Sequence, residues 1–156
     1  MVMSQVKSST FHSLMILYHG KKPQIEKVVE ELLELKEALK GFDRDHIIEE
    51  LGDVEIVLPY LKKIFIPAIN LKIEPYPEFV YKYDDICDLV VALIRMRQEY
   101  GDTKIVSNML RESVTILCHA LGDIYYIHKI LPDEVELWKE EKYRRCLKDI
   151  AKKIVG

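Results

Sequence analysis

Four carboxylates in the first half of the chain, Glu31, Glu34, Glu50 and Asp53, stand in two i,i+3 pairs on stretches that are otherwise apolar. At about 100° per helical residue, Val57, Leu61, Val54, Ile47 and Leu58 fall within about 80° of Glu50, with Asp53 about 60° to one side. Ala38, Leu35, Val28 and Leu39 surround Glu31 in the same way, with Gln24 a further two turns up and Glu34 and Lys27 at the edge of the arc. Both pairs therefore point where a core should form. Glu26, Glu30, Glu37, Glu49 and Glu55 fall outside these arcs and read as a solvated helix face.

Burying one unpaired carboxylate costs several kcal/mol or raises its pKa until it is neutral, and gathering four adds mutual repulsion. A positive partner is required. Lys27 can neutralise one carboxylate, but the inner arc around Glu50 carries no basic residue. A hard divalent cation fits better, because a donor set of carboxylate oxygens without thiolate or imidazole suits Mg²⁺, with Mn²⁺ as substitute, rather than zinc. A di-iron bundle would add Glu-x-x-His pairs, and no glutamate stands three residues before any of the five histidines. A carboxylate-held cation commonly grips phosphate oxygens, so a triphosphate substrate follows as an expectation, with one carboxylate left to position or deprotonate water.

The elements that must hold these residues read as helices throughout. Segments 8–18, 23–40, 43–65, 83–100, 103–131 and 132–154 carry helical periodicity, and no alternating strand pattern of useful length interrupts them. Gly20 and Pro23 punctuate the first boundary, Gly41 should stop the second helix, and Asp43 or Asp45 should cap the third. Pro59 should bend that third helix, since proline removes a backbone donor. Three prolines mark "IPAINLKIEPYPEF" (66–79) as the connector.

With 156 residues, 49% of them hydrophobic and 31% charged, the chain should make one all-α domain with a substantial core. A formal net charge of −3 argues against nucleic acid or a membrane surface as partner. Cys87, Cys118 and Cys146 are odd in number and widely spaced, which favours three reduced thiols over a disulfide framework. Phe11 to Tyr18 is too short and lacks the flanks of a signal peptide, and Lys62 and Lys63 break the longest apolar run. A cytoplasmic protein is the expectation.

Glu30-Glu31-x-x-Glu34 followed by Glu50-x-x-Asp53 resembles the E-E-x-x-E and E-x-x-D signature of the MazG-like all-α nucleoside triphosphate pyrophosphohydrolases. That superfamily includes dimeric dUTPases, dCTP pyrophosphatases and phosphoribosyl-ATP pyrophosphohydrolase. The resemblance covers residues 18–66 closely, as the active-site hairpin. It extends to the C-terminal helix, 133–154, through "KYRRCL", whose Lys142-x-x-Arg145 is similar to a closing Lys-x-x-Arg, and reaches the middle only through an internal repeat.

What the resemblance implies is a MazG-like helical bundle that hydrolyses the bond between the α and β phosphates of a nucleoside triphosphate, releasing monophosphate and pyrophosphate. Mg²⁺ would be held by Glu31, Glu34, Glu50 and Asp53, the catalytic set, and sites of this kind commonly depend on dimer packing. Gln24, Lys27, Lys142 and Arg145 are the candidates for substrate contacts, and each also reads as an ordinary helix residue. Tyr18 or Phe11 could stack on a base, or simply fill the core. The alternatives are a non-catalytic nucleotide- or metal-binding regulatory module, and phosphoribosyl-ATP as the substrate.

The repeat is the departure from short family members. "EELLEL" and "EELGDVEIVL" in the first half find echoes, in the same order, in "DDICDL" and "HALGDIYYIH". One reading makes residues 71–131 a degenerate second copy, giving a fused, monomeric pseudo-dimer. Asp85 and Asp88 then stand for Glu31 and Glu34, Asp123 for Asp53, and Ala120 for Glu50. The other reading gives Asp85 and Asp88 the ordinary role of acids in a helix's first turn, and leaves a homodimer open.

Overall fold

The computed structural model describes residues 8–75 and 82–156, so residues 1–7 and the 76–81 part of the connector lie outside the described residues. Among the described residues the architecture is all helical: α1 (Ser8–His19), α2 (Lys21–Ala38), α3 (Arg44–Val57), α4 (Pro59–Ile64), α5 (Tyr83–Tyr100), α6 (Lys104–Ile127) and α7 (Pro132–Val155). None of them is long and apolar enough to cross a membrane.

Local chemistry sets most boundaries. Asp43 caps α3 by accepting a hydrogen bond from the His46 backbone N–H at 3.2 Å, and Thr103 caps α6 through Val106. Pro59 divides what the periodicity predicts as one bent helix into α3 and α4: Leu58 still donates to Val54, but proline has no N–H to continue the ladder. Gly41 does not end α2 in a left-handed turn. The helix tightens instead, with Lys40 and Gly41 donating to Glu37 and Ala38, three residues back. α6 ends at Ile127, four residues before the expected Leu131.

α3 is the central element. Ile47, Leu51, Val54 and Ile56 bury its several sides, the pattern of a helix covered all round. α2 and α5–α6 lie to one side, and α7 closes over α3. Glu26 with Arg95 (2.6 Å) and Lys36 with Asp88 (2.8 Å) pair in opposite order along α2 and α5, so these helices run antiparallel, and the Tyr83 hydroxyl reaches across to donate to Leu32 O (2.7 Å). Arg44 with Glu134 and Asp53 with Trp138 pair in the same order, so α3 and α7 run parallel. The bundle is thus two hairpins, α2–α3 and α5–α6, back to back, with α1, α4 and α7 laid around the first.

Candidate metal centre

The i,i+3 pairs meet across the first hairpin. Glu31 of α2 and Glu50 and Asp53 of α3 each bring a carboxylate oxygen within 4.8 Å of the others. Glu31 and Asp53 are each only 7% exposed, and Glu50 is half-buried. Oε2 of Glu31 and Oε2 of Glu50 are shielded from solvent and have no hydrogen-bond partner. Buried polar atoms are almost always satisfied, and two orphaned carboxylate oxygens in one cluster are suited to a shared proton or a cation. Burial, reinforced by the neighbouring carboxylates, pushes the Glu31 carboxyl up to about 8 and that of Glu50 up to about 7. The donor set, oxygen alone from two facing helices, fits Mg²⁺ or Mn²⁺.

Glu34 stands at the solvent edge of the cluster, exposed and close enough to share hydrogen-bonding contact with both Glu31 and Glu50. Glu30 joins Glu31 and Glu34 in a second, outward-facing group and pairs with Lys27 at 3.6 Å. Exposed carboxylates in water need no cation, so the inner triad is the better-defined site.

α7 supplies what the arc around Glu50 lacks. Lys142 Nζ stands 3.7 Å from Asp53 Oδ1, and the Trp138 indole N–H donates to the same oxygen at 2.9 Å. His46 adds a contact to Glu50 at 3.9 Å. Beside the triad opens a cavity of 240 Å³, walled by Phe11, Met15, Ile56 and Tyr60 and edged by Gln24, Lys27 and Lys142. Three of the four candidate substrate residues therefore line it. Arg145 does not: its guanidinium lies 5.1 Å from the centre of the Trp138 ring, and it pairs with Glu141. Phe11 is core, 2% exposed, and also lines the cavity, whereas Tyr18 is on the surface against His19. A larger cleft of 750 Å³ between Lys21, Lys22, Arg95 and Arg97 includes none of the triad, and Arg95 is tied to Glu26.

One reading is corrected. Glu55, expected on a solvated face, has a side chain only 11% exposed; it accepts from the Tyr125 hydroxyl and pairs with Lys139 at 3.4 Å. It lies on the side of α3 away from Asp53, and α7 straddles the helix, sending Trp138 and Lys142 one way and Lys139 the other. Trp138 itself escapes a reading of periodicity, because its role depends on where α7 docks.

The second hairpin gathers no such cluster among the described residues. Asp85 and Asp88 are exposed, Asp85 in the first turn of α5 and Asp88 bound to Lys36. Ala120 is buried, and Asp123 Oδ2 is buried without a partner. No family model, no curated protein and no solved structure matches this chain.

Proposed function

We propose that the protein is a Mg²⁺-dependent nucleoside triphosphate pyrophosphohydrolase of the MazG-like kind, converting a ribo- or deoxyribonucleoside triphosphate and water to monophosphate and pyrophosphate. The observation that carries this reading is the convergence of Glu31, Glu50 and Asp53, with two buried oxygens lacking any partner, beside a cavity that Glu31 and Asp53 line together with Lys27 and Lys142. At 240 Å³ the cavity is smaller than the roughly 300–1,000 Å³ of pockets that enclose a whole ligand. It suits the base end of the substrate, with the phosphates lying across the carboxylates.

Glu31, Glu50 and Asp53 would hold the cation, which leaves Glu34 free at the edge. When bound, the cation offsets phosphate charge and orients phosphate oxygens. Lys142 and Lys27 add positive charge at the same mouth, and Gln24, 6% exposed, offers an amide to the substrate. Glu34, the exposed member, is placed to accept a proton from attacking water. Water oxygen bonds to the α-phosphorus as the bond to the bridging oxygen breaks; pyrophosphate departs and one proton is released. The apolar wall keeps bulk water from the base side. The second hairpin, packed against the first within one chain, supports a fused pseudo-dimer with one competent site.

Phosphorus NMR of the protein with Mg²⁺ and a panel of triphosphates tests this. Monophosphate and pyrophosphate should appear together and be absent with Glu50→Gln. No turnover of any triphosphate, with Mg²⁺ still bound by calorimetry, would leave a non-catalytic binding module.

A further inference from the structure

Trp138 is the single tryptophan of the chain, and its indole N–H is directed at one oxygen of the proposed cation site. The indole N–H donates to Asp53 Oδ1 at 2.9 Å, and Lys142 approaches the same oxygen, so both contacts leave Asp53 Oδ2 uncommitted. The ring can reach Asp53 because the residue beside it is Gly52. A Cβ there would lie 2.5 Å from Trp138 Cδ1, so glycine lets the indole rest directly on α3. Glycine inside a helix is destabilising against alanine, and the close approach of the indole accounts for it. The Arg145 guanidinium, 5.1 Å from the ring centre, and Lys142 Nζ, 5.9 Å from it, bear on the ring and hold its orientation.

We propose that Trp138 is a positioning residue: its indole N–H fixes the rotation of the Asp53 carboxylate, so that Oδ2 faces the cation shared with Glu31 and Glu50. This rests on the cation-site reading above. A carboxylate free to rotate loses the geometry that a small octahedral ion demands, and groups that orient a ligand from behind typically carry 10–100-fold of metal affinity. Trp138 touches neither substrate nor cation and acts through Asp53.

The test uses the full chain. A single tryptophan gives a single indole N–H signal in a proton–nitrogen correlation spectrum, and titration with Mg²⁺ should move that signal to saturation at the affinity calorimetry reports. Trp138→Phe keeps an aromatic ring and removes the donor; its Mg²⁺ affinity should fall about 10–100-fold while its metal-free melting temperature does not account for the loss. An indole signal that stays fixed while the ion binds overturns the proposal, as does Trp138→Phe binding Mg²⁺ like the native chain. If Trp138→Phe fails to fold, the indole titration on the native chain decides alone. A native chain that binds no Mg²⁺ overturns the cation site itself, a result distinct from either of these.

Discussion

The two hairpins share a three-residue signature, Leu51-Gly52-Asp53 in α3 and Leu121-Gly122-Asp123 in α6, and differ in what lies against its glycine. At Gly52 it is the Trp138 side chain of α7. At Gly122 it is the backbone of the connector: a Cβ would stand 2.3 Å from Glu74 C and 2.4 Å from Pro75 N. The same connector accepts a contact from His119 Nδ1 to Glu74 O at 3.0 Å. One glycine thus admits an indole that addresses a carboxylate, and the other admits a strap of backbone. The first hairpin keeps Glu50 and a cavity beside Asp53; the second has Ala120 and spends Asp88 on an ion pair with Lys36. The hairpins therefore differ both in which carboxylates converge across them and in what lies against their glycines.

The sharpest way to break this comparison is to neutralise the matching aspartates. Asp53→Asn should lower triphosphate turnover by more than about 100-fold, beyond the range of orienting groups, because it removes a ligand outright. Asp123→Asn should leave turnover near the native rate. Equal losses in both, measured with Mg²⁺ in excess, would mean that the second hairpin takes part.

The glycines come next. Gly122→Ala drives a methyl into peptide backbone and should cost about 1–3 kcal/mol in a denaturant melt. Gly52→Ala meets a side chain that can swing aside, so it should cost less stability but weaken Mg²⁺ binding by displacing Trp138. The reverse ranking in stability would remove the distinction between strap and indole.

The pH response should separate the hairpins through Glu31 and Glu50. With folded-state values of about 8 and about 7 against an ordinary 4.5, both groups favour the folded chain in their protonated forms. Their contribution is fully present below about pH 4.5 and is lost as pH rises toward 7 and 8. Metal-free protein should therefore melt at lower temperature at pH 8 than at pH 6. Mg²⁺ binds the ionised carboxylates, so it should raise the melting temperature more at pH 8 than at pH 6. Thermal melts at the two pH values check this, and a larger Mg²⁺ effect at pH 6 would contradict it.

The smallest effect belongs to the contact between the hairpins. Lys36 is 24% and Asp88 61% exposed in their side chains, so Asp88→Ala should cost under about 1 kcal/mol and leave Mg²⁺ affinity unchanged. A loss of Mg²⁺ binding on that substitution would give Asp88 a role at the metal.

Much of this was legible in the residues. Helical period and punctuation predict the helices to within a few residues, since Asp43, Thr103, Pro59 and Pro132 act on their own neighbours. Glu31, Glu50 and Asp53 stand out because an acid inside an apolar arc is costly wherever the helix packs. Glu55, Trp138 and the connector's seal over Gly122 are not readable in this way. Each depends on a second element docking at one place: α7 over α3, or residues 74 and 75 over α6. Glu55 looks solvated only while α3 is given a single buried side, and α7 supplies the other.

The most direct test of the central claim, that the first hairpin alone carries the cation, is calorimetry of Mn²⁺ binding to three chains: native, Glu50→Gln, and one carrying Asp85→Asn, Asp88→Asn and Asp123→Asn together. The account predicts that the native and triply substituted chains bind Mn²⁺ with matching affinity and stoichiometry, and that Glu50→Gln loses most of it. Binding that survives in Glu50→Gln and disappears in the triple variant would contradict it.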